Sequence, residues 1–200
     1  MPGADNQAIE DEQRYRASAY ALLAALLRAA PEQALLDHVS ALLPGGDDEL
    51  DELGDAMAQL AAAAQGRDLA QLEQEYNDLF IGVGKGEVVP YGSWHLTGFL
   101  MEQPLSDLRD DLRALGFERS EDTHEPEDHA AAIFEVFSVM ILESYSLSQQ
   151  QVFFKTHMQA WLGTFFSDLG SARSADFYQH VARFGVAFLK LESAYLSMHS

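Results

Sequence analysis

The chain of 200 residues contains no cysteine. Disulfides, thiolate zinc sites, iron–sulfur ligation and cysteine nucleophiles are therefore excluded together. Basic residues are scarce: 12 Lys and Arg stand against 32 Asp and Glu, for a formal net charge of −20. So acidic a surface repels phosphate backbones and anionic membranes, and neither nucleic acid nor a membrane surface is expected as a partner. A basic peptide is attracted, although acidity also confers solubility on its own. No uncharged apolar run reaches the roughly 18 residues of a membrane span. The most apolar early stretch, residues 17–27, follows the acids Glu10, Asp11 and Glu12 and lacks a small-residue cleavage site. It reads as a first helix rather than a secretion signal, and the expected location is cytoplasmic. Strand signals are nearly absent too, residues 87–91 being the one candidate.

What is present is helix after helix. With 48% apolar residues the chain can bury a sizeable core, and its length suits a single domain. Residues 1–10 are expected to be a flexible N-terminus, and 11–200 one all-α domain. Tyr15, Ala19, Leu22, Leu23, Leu26 and Leu27 recur at helical spacing. Pro31 opens a second helix that Pro44-Gly45-Gly46 stops. Asp47, Asp48 and Glu49 start a third, which Gly66 ends. Asp68 can N-cap a fourth, with Leu69, Leu72, Tyr76, Leu79 and Phe80 on one face. A Gly/Pro loop over residues 81–93, IGVGKGEVVPYGS, then forbids regular helix. Helix resumes near Ser93 and runs to Leu115, divided or kinked at Pro104. An acidic linker at about 118–126 follows, and Pro126 is placed to be the first residue of the next helix. Two further helices are expected over residues 148–169 and 174–198.

The motifs of common chemistry fail. A zinc protease needs H-E-x-x-H on one helix face, whereas His124-Glu125 is followed by His129 with Pro126 between them. A di-iron bundle needs two Glu-x-x-His pairs, and only Glu121-x-x-His124 matches. The loop GVGKG at 82–86 departs from the Walker spacing, and no strand precedes it for a dinucleotide site. No G-x-S-x-G elbow exists. No catalytic residue, metal or cofactor is assigned, and the chain reads as a binder, not an enzyme.

Three segments are unusual for plain core. Leu79-Phe80 ends a helix just before the glycine loop. Tyr91-Gly92-Ser93-Trp94 places two aromatics at a loop-to-helix junction. Asp128-His129 lies behind the acidic linker in a first helical turn. Each also has an ordinary explanation: Leu79 and Phe80 as core, Asp128 as a helix-dipole partner, His129 as a satisfied core histidine. Together they offer apolar surface beside carboxylates and an imidazole, which suits an apolar peptide that carries arginines.

At these residues the sequence resembles the TorD/DmsD family of redox-enzyme maturation chaperones. Glu75-Tyr76-Asn77-Asp78-Leu79-Phe80 is similar to the family's aromatic-x-x-Leu-Phe motif. Gly84 through Pro90-Tyr91-Gly92-Ser93-Trp94 is similar to its Gly…Pro-aromatic-x-Ser segment, with Val89 where a second proline often stands. Glu125-Pro126-Glu127-Asp128-His129 resembles its Glu-Pro-x-Asp-His motif. Gln150, Phe154, His157, Trp161 and Phe165, then Phe177-Tyr178, resemble its C-terminal helices; residues 1–65 match only in general character.

The resemblance implies a compact all-helical fold. It implies binding of the twin-arginine signal peptide of a molybdopterin oxidoreductase precursor, which is held until cofactor insertion is complete and before Tat export. It carries the peptide-binding role to Tyr76, Leu79, Phe80, Pro90, Tyr91, Ser93, Trp94, Glu125, Asp128 and His129. The leader's apolar middle is expected on Leu79, Phe80 and Tyr91, its arginines on Asp128 and neighbouring acids, and His129 is expected to titrate near neutral pH. Alternatives stay open: an assembly chaperone for the mature enzyme, a weak GTP-binding switch using 82–86, or a plain helical interaction module. Family members include monomers and dimers that exchange helices.

Overall fold

The computed structural model describes residues 2–42, 52–82, 85–118 and 125–198, with side chains from residue 10 onward. The described residues form ten α-helices and one π-helical turn, with a lone antiparallel bridge between Tyr91 and His129 as their only β pairing. The helices are α1 Pro2–Arg28, α2 Gln33–Ser40, α3 Glu52–Ala64, α4 Leu69–Tyr76, α5 Gly92–Thr97, α6 Gln103–Ala114, α7 Ala130–Leu142, α8 Leu147–His157, α9 Leu162–Ser171 and α10 Tyr178–Met198. Regular helix thus extends back to Pro2, where the sequence suggests a loose terminus. The glycine stop at 44–46, the acids 47–49 and most of the acidic linker lie outside the described residues, as do His124 and Gly84.

Local signals explain most boundaries. The Asp68 carboxylate accepts from the backbone N–H of Ala70 and Gln71 and caps α4. Ser146 and Gln149 form a reciprocal capping box at α8. Pro104 sits in the first turn of α6, so the 93–115 stretch is two helices rather than a kinked one.

Three boundaries depart from those expected. The expected helix over 148–169 is broken at Trp161, whose indole N–H donates to the His157 carbonyl at 2.7 Å. The last helix begins at Tyr178, not near 174. The buried Glu75 carboxylate accepts from the N–H groups of Asp176, Phe177 and Tyr178 at 2.8–3.1 Å and so supplies its N-terminal cap. Pro126 opens a tight turn, closed by His129 N–H on its carbonyl, and α7 starts only at Ala130.

The core runs along α1 and α7. Most of α7 is buried, with Ala130, Ile133, Phe134, Phe137 and Met140 at 1% exposure or less. Tyr20 of α1 packs its ring on Phe134, Phe137 and Phe188. Ser138 donates to the Ala17 carbonyl and locks the two helices in register. α10 closes the other side against α3 and α9. No helix among the described residues is long and apolar enough to cross a membrane.

Candidate functional site

α4 does not end as an α-helix. Its continuation over Asn77–Ile81 is a π-helical turn, closed by Gly82 N–H on the Asn77 carbonyl at 2.7 Å. Such turns recur at functional positions because they re-aim side chains. Here Leu79 lies wholly inside, at 0% exposure, while Phe80 is half-buried at the surface. Phe80 is held edge-on to Tyr178, with centroids 5.3 Å apart, and tilted on Tyr76 at 4.9 Å. Gly82 has φ +60°, a conformation that disfavours a side chain. Gly86 lies so close to the turn that a Cβ there would stand 2.4 Å from the Leu79 carbonyl oxygen. These two glycines of the 82–86 loop serve backbone packing.

The loop then runs back along the turn. Glu87 N–H donates to Asp78 and Val88 N–H to Leu79. Next it pairs with the segment before α7: Gly92 N–H donates to the Asp128 carbonyl at 2.9 Å, and Ala130 N–H to the Pro90 carbonyl at 2.8 Å. Three segments separated in sequence thus meet at one place.

They border an open groove of about 770 Å³. Tyr76, Phe80, Pro90, Tyr91, Glu125 and His129 line it, six of the ten residues expected from sequence. Its other wall is the turn between α1 and α2, residues 28–32, joined by Leu69, Glu73 and Ile81. None of that wall is expected from the sequence reading. The Tyr76 hydroxyl ties the two walls together by donating to the carbonyls of Leu27 and Arg28.

The other four expected residues lie elsewhere. Leu79 is core, so it does not offer the groove a surface. Ser93 is fully buried; its N–H donates to Asp128 Oδ2 at 2.8 Å, and its hydroxyl accepts from Met101 N–H. Trp94 carries the Lys85 ammonium over its ring at 3.8 Å. Asp128 is 3% exposed, and its Oδ1 is buried without a hydrogen-bond partner. It borders a separate cavity of about 180 Å³ with His157 and Trp161, not the groove. With its carboxylate turned to Ser93, it does not cap α7, and His129 caps that helix in its place.

His129 caps α7 through Nδ1, which accepts from Ala131 N–H at 3.1 Å. That nitrogen must be unprotonated to accept. Burial, opposed by the charge of Glu125, pushes the imidazole down to about 4. It is therefore neutral at physiological pH and does not titrate near 7 as expected. Its ring stands edge-on to Tyr91, 5.1 Å away. Tyr91 donates its hydroxyl to Glu125, and burial together with that carboxylate raises the phenol well above its ordinary range. Burial, aided by Glu125, likewise pushes Tyr76 up to about 12. The groove thus has a neutral aromatic floor and an acidic edge of Glu32, Glu73 and Glu125. Among the described residues neither Glu32 nor Glu73 has an ion-pair partner. No group of three or more His, Asp or Glu side chains among the described residues is arranged to hold a metal ion.

Comparison with known proteins gives this architecture its context. The family model described as nitrate reductase delta subunit matches residues 47–167. Chaperone protein TorD of Vibrio parahaemolyticus is 30% identical over 161 residues, covering 74% of this chain and 73% of that protein. Chaperone protein TorD of Vibrio atlanticus is 28% identical over 207 residues, covering 91% and 94%. The fold superposes with a TM-score of 0.60 on a crystal structure from Archaeoglobus fulgidus assigned by inference to redox enzyme maturation. That likeness covers 88% of this chain and 93% of the other at 18% identity, and is one of fold. The class is therefore an all-helical chaperone rather than a catalyst. Within it, the chain belongs to the TorD/DmsD family of redox-enzyme maturation chaperones.

Proposed function

We propose that the groove between α1–α2 and the π-helical turn receives the twin-arginine signal peptide of a molybdopterin oxidoreductase precursor, in the cytoplasm. The chaperone holds it until cofactor insertion is complete and before Tat export. The observation that carries this reading is the pairing, in one groove, of a neutral aromatic floor with an acidic edge of Glu32, Glu73 and Glu125. A leader has the complementary order: a basic start and an apolar middle. Its apolar residues cover Phe80, Tyr76 and Tyr91, where burial contributes about 25 cal/mol per Å² before ordering costs. Its arginines meet Glu32, Glu73 and Glu125 with fork-shaped, charge-assisted bonds. Leu79, Ser93 and Asp128 act from beneath by fixing the walls. The net charge of −20 speeds the encounter.

Isothermal titration with a synthetic twin-arginine leader tests this. Binding should weaken as salt rises and fall about tenfold or more in Phe80→Ala, as for an aromatic anchor. A leader that fails to bind, or that binds Phe80→Ala as well as wild type, contradicts it. If the mature enzyme binds and the leader does not, the assembly-chaperone alternative holds instead.

A further inference from the structure

Behind the groove stands a residue that does not line it. Tyr178, the first residue of α10, is fully buried. Its backbone N–H donates to the Glu75 carboxylate of α4 at 2.8 Å. Its ring packs on both aromatics of the groove floor: Phe80 stands edge-on with centroids 5.3 Å apart, and Tyr76 lies tilted at 6.0 Å. Its hydroxyl donates to the Leu26 carbonyl of α1 at 2.9 Å. One residue from late in the sequence thus joins α4, the π-helical turn and α1.

The sequence explains why α1 needs such partners. An α-helix leaves its last carbonyls without N–H groups of its own, and Pro31 has no N–H to offer the Leu27 carbonyl four residues before it. Phenol hydroxyls serve instead: Tyr178 donates to the Leu26 carbonyl, and Tyr76 to those of Leu27 and Arg28. Tyr178 is therefore pinned twice, at its backbone by Glu75 and at its hydroxyl by α1. The two floor aromatics differ in what holds them. Tyr76 has its own hydroxyl anchor on α1. Phe80 has no polar atom on its side chain, and rings hold it: those of Tyr76 and Tyr178.

We propose that Tyr178 is a positioning residue for peptide binding. Pinned between Glu75 and the end of α1, its ring holds Phe80 in the orientation that meets the apolar stretch of a bound segment. This deepens the groove reading above and rests on it. Because Tyr178 is not among the groove's lining residues, its effect on a ligand passes through Phe80. Without the Tyr178 ring a space opens behind Phe80, and the anchor drops back into it.

The test is a double-mutant cycle on the affinity of a synthetic twin-arginine leader, read by fluorescence anisotropy with the full chain. Tyr178→Leu should weaken binding about three- to tenfold, the range of one aromatic pair. In a Phe80→Ala background the same substitution should change binding by less than about twofold, because the ring it positions is gone. Tyr178→Phe keeps the ring and its backbone anchor and should recover most of the loss. Phe137→Leu, a core change that does not line the groove, should lower the urea midpoint yet leave leader affinity within about twofold. Should Tyr178→Leu not fold, Glu75→Gln replaces it in the cycle, with an expected loss of about two- to fivefold that is again absent without Phe80. Equal losses with and without Phe80 overturn the proposal. So does a loss that Tyr178→Phe fails to recover, or one that Phe137→Leu matches. A leader weakened by Phe80→Ala but indifferent to the Tyr178 and Glu75 variants overturns this proposal alone. A leader that does not bind wild type, or that ignores Phe80→Ala, brings down the groove reading and this proposal with it.

Discussion

Arg16 and Arg28 stand on the same helix, one buried and one at its exposed end. Arg16 is 6% exposed, and its guanidinium makes four hydrogen bonds. Nε and Nη2 grip the two Glu192 oxygens at 2.7 and 2.8 Å, Nη2 also reaches Gln150, and Nη1 reaches Gln13. Tyr20 donates to the same carboxylate, and the Tyr195 ring lies 4.2 Å from the cation. This closed network joins α1, α8 and α10. Arg28 is about half exposed, with a single surface partner, Glu135, at the border of two cavities. The contrast separates two uses of polar side chains. Where a buried charge is paired and held by several hydrogen bonds inside, the group specifies the fold. Where carboxylates line the rim of an aromatic groove, as on the proposed reading here, they meet the charges of another molecule.

The comparison is broken most severely at the buried end. Glu192→Ala leaves an uncompensated buried guanidinium and should lower stability by about 3–5 kcal/mol in urea unfolding. Glu135→Ala at the exposed end should cost less than about 1 kcal/mol. The next contrast sets neighbours against each other. Leu79→Ala empties a core position and should cost about 2–5 kcal/mol of stability. Phe80→Ala, half-buried, should cost less stability but most of the affinity for a leader. A pair of melting curves and a pair of titrations check the inversion.

Protonation gives a third, smaller lever. The His129 imidazole titrates at about 4 when folded against an ordinary 6.5. Between those values the unfolded chain binds the extra proton. Stability from this group is therefore complete above about pH 6.5 and is lost as pH falls from 6.5 through 4. The loss amounts to about 3 kcal/mol at most. Urea melts between pH 7 and pH 4 should show that decline. In His129→Asn, where asparagine can still cap α7, the decline should flatten.

Much of the fold was legible because its signals are local. The Asp68 cap, the Gly66 stop and the spacing of apolar residues on α1 all operate within a few residues, and each predicted the element observed. The start of α10 was not, because its cap is Glu75, about a hundred residues earlier. Nor was the break before α9, where the Trp161 indole takes the carbonyl of His157 four residues earlier, a local contact that apolar spacing does not reveal. The groove divides in the same way. Tyr76, Phe80, Pro90, Tyr91, Glu125 and His129 were legible through motifs. Sequence could not separate Leu79 from Phe80, since a π-helical turn decides which of the two faces inward. Arg28, Glu32 and Glu73 carry no motif; they reach the groove only because the α1–α2 turn folds onto α4. Asp128 reads in the sequence as a ligand for arginine, whereas in the fold its Oδ2 accepts from the Ser93 N–H.

The most direct test of the groove is to label it. A twin-arginine leader with a photo-crosslinker in its apolar stretch would be irradiated with the full chain and the adducts located by mass spectrometry. The account predicts adducts on Leu69–Tyr76, the Asn77–Ile81 turn and residues 28–35. Adducts confined to the separate cavity of about 470 Å³ between α3, α9 and α10 would contradict it.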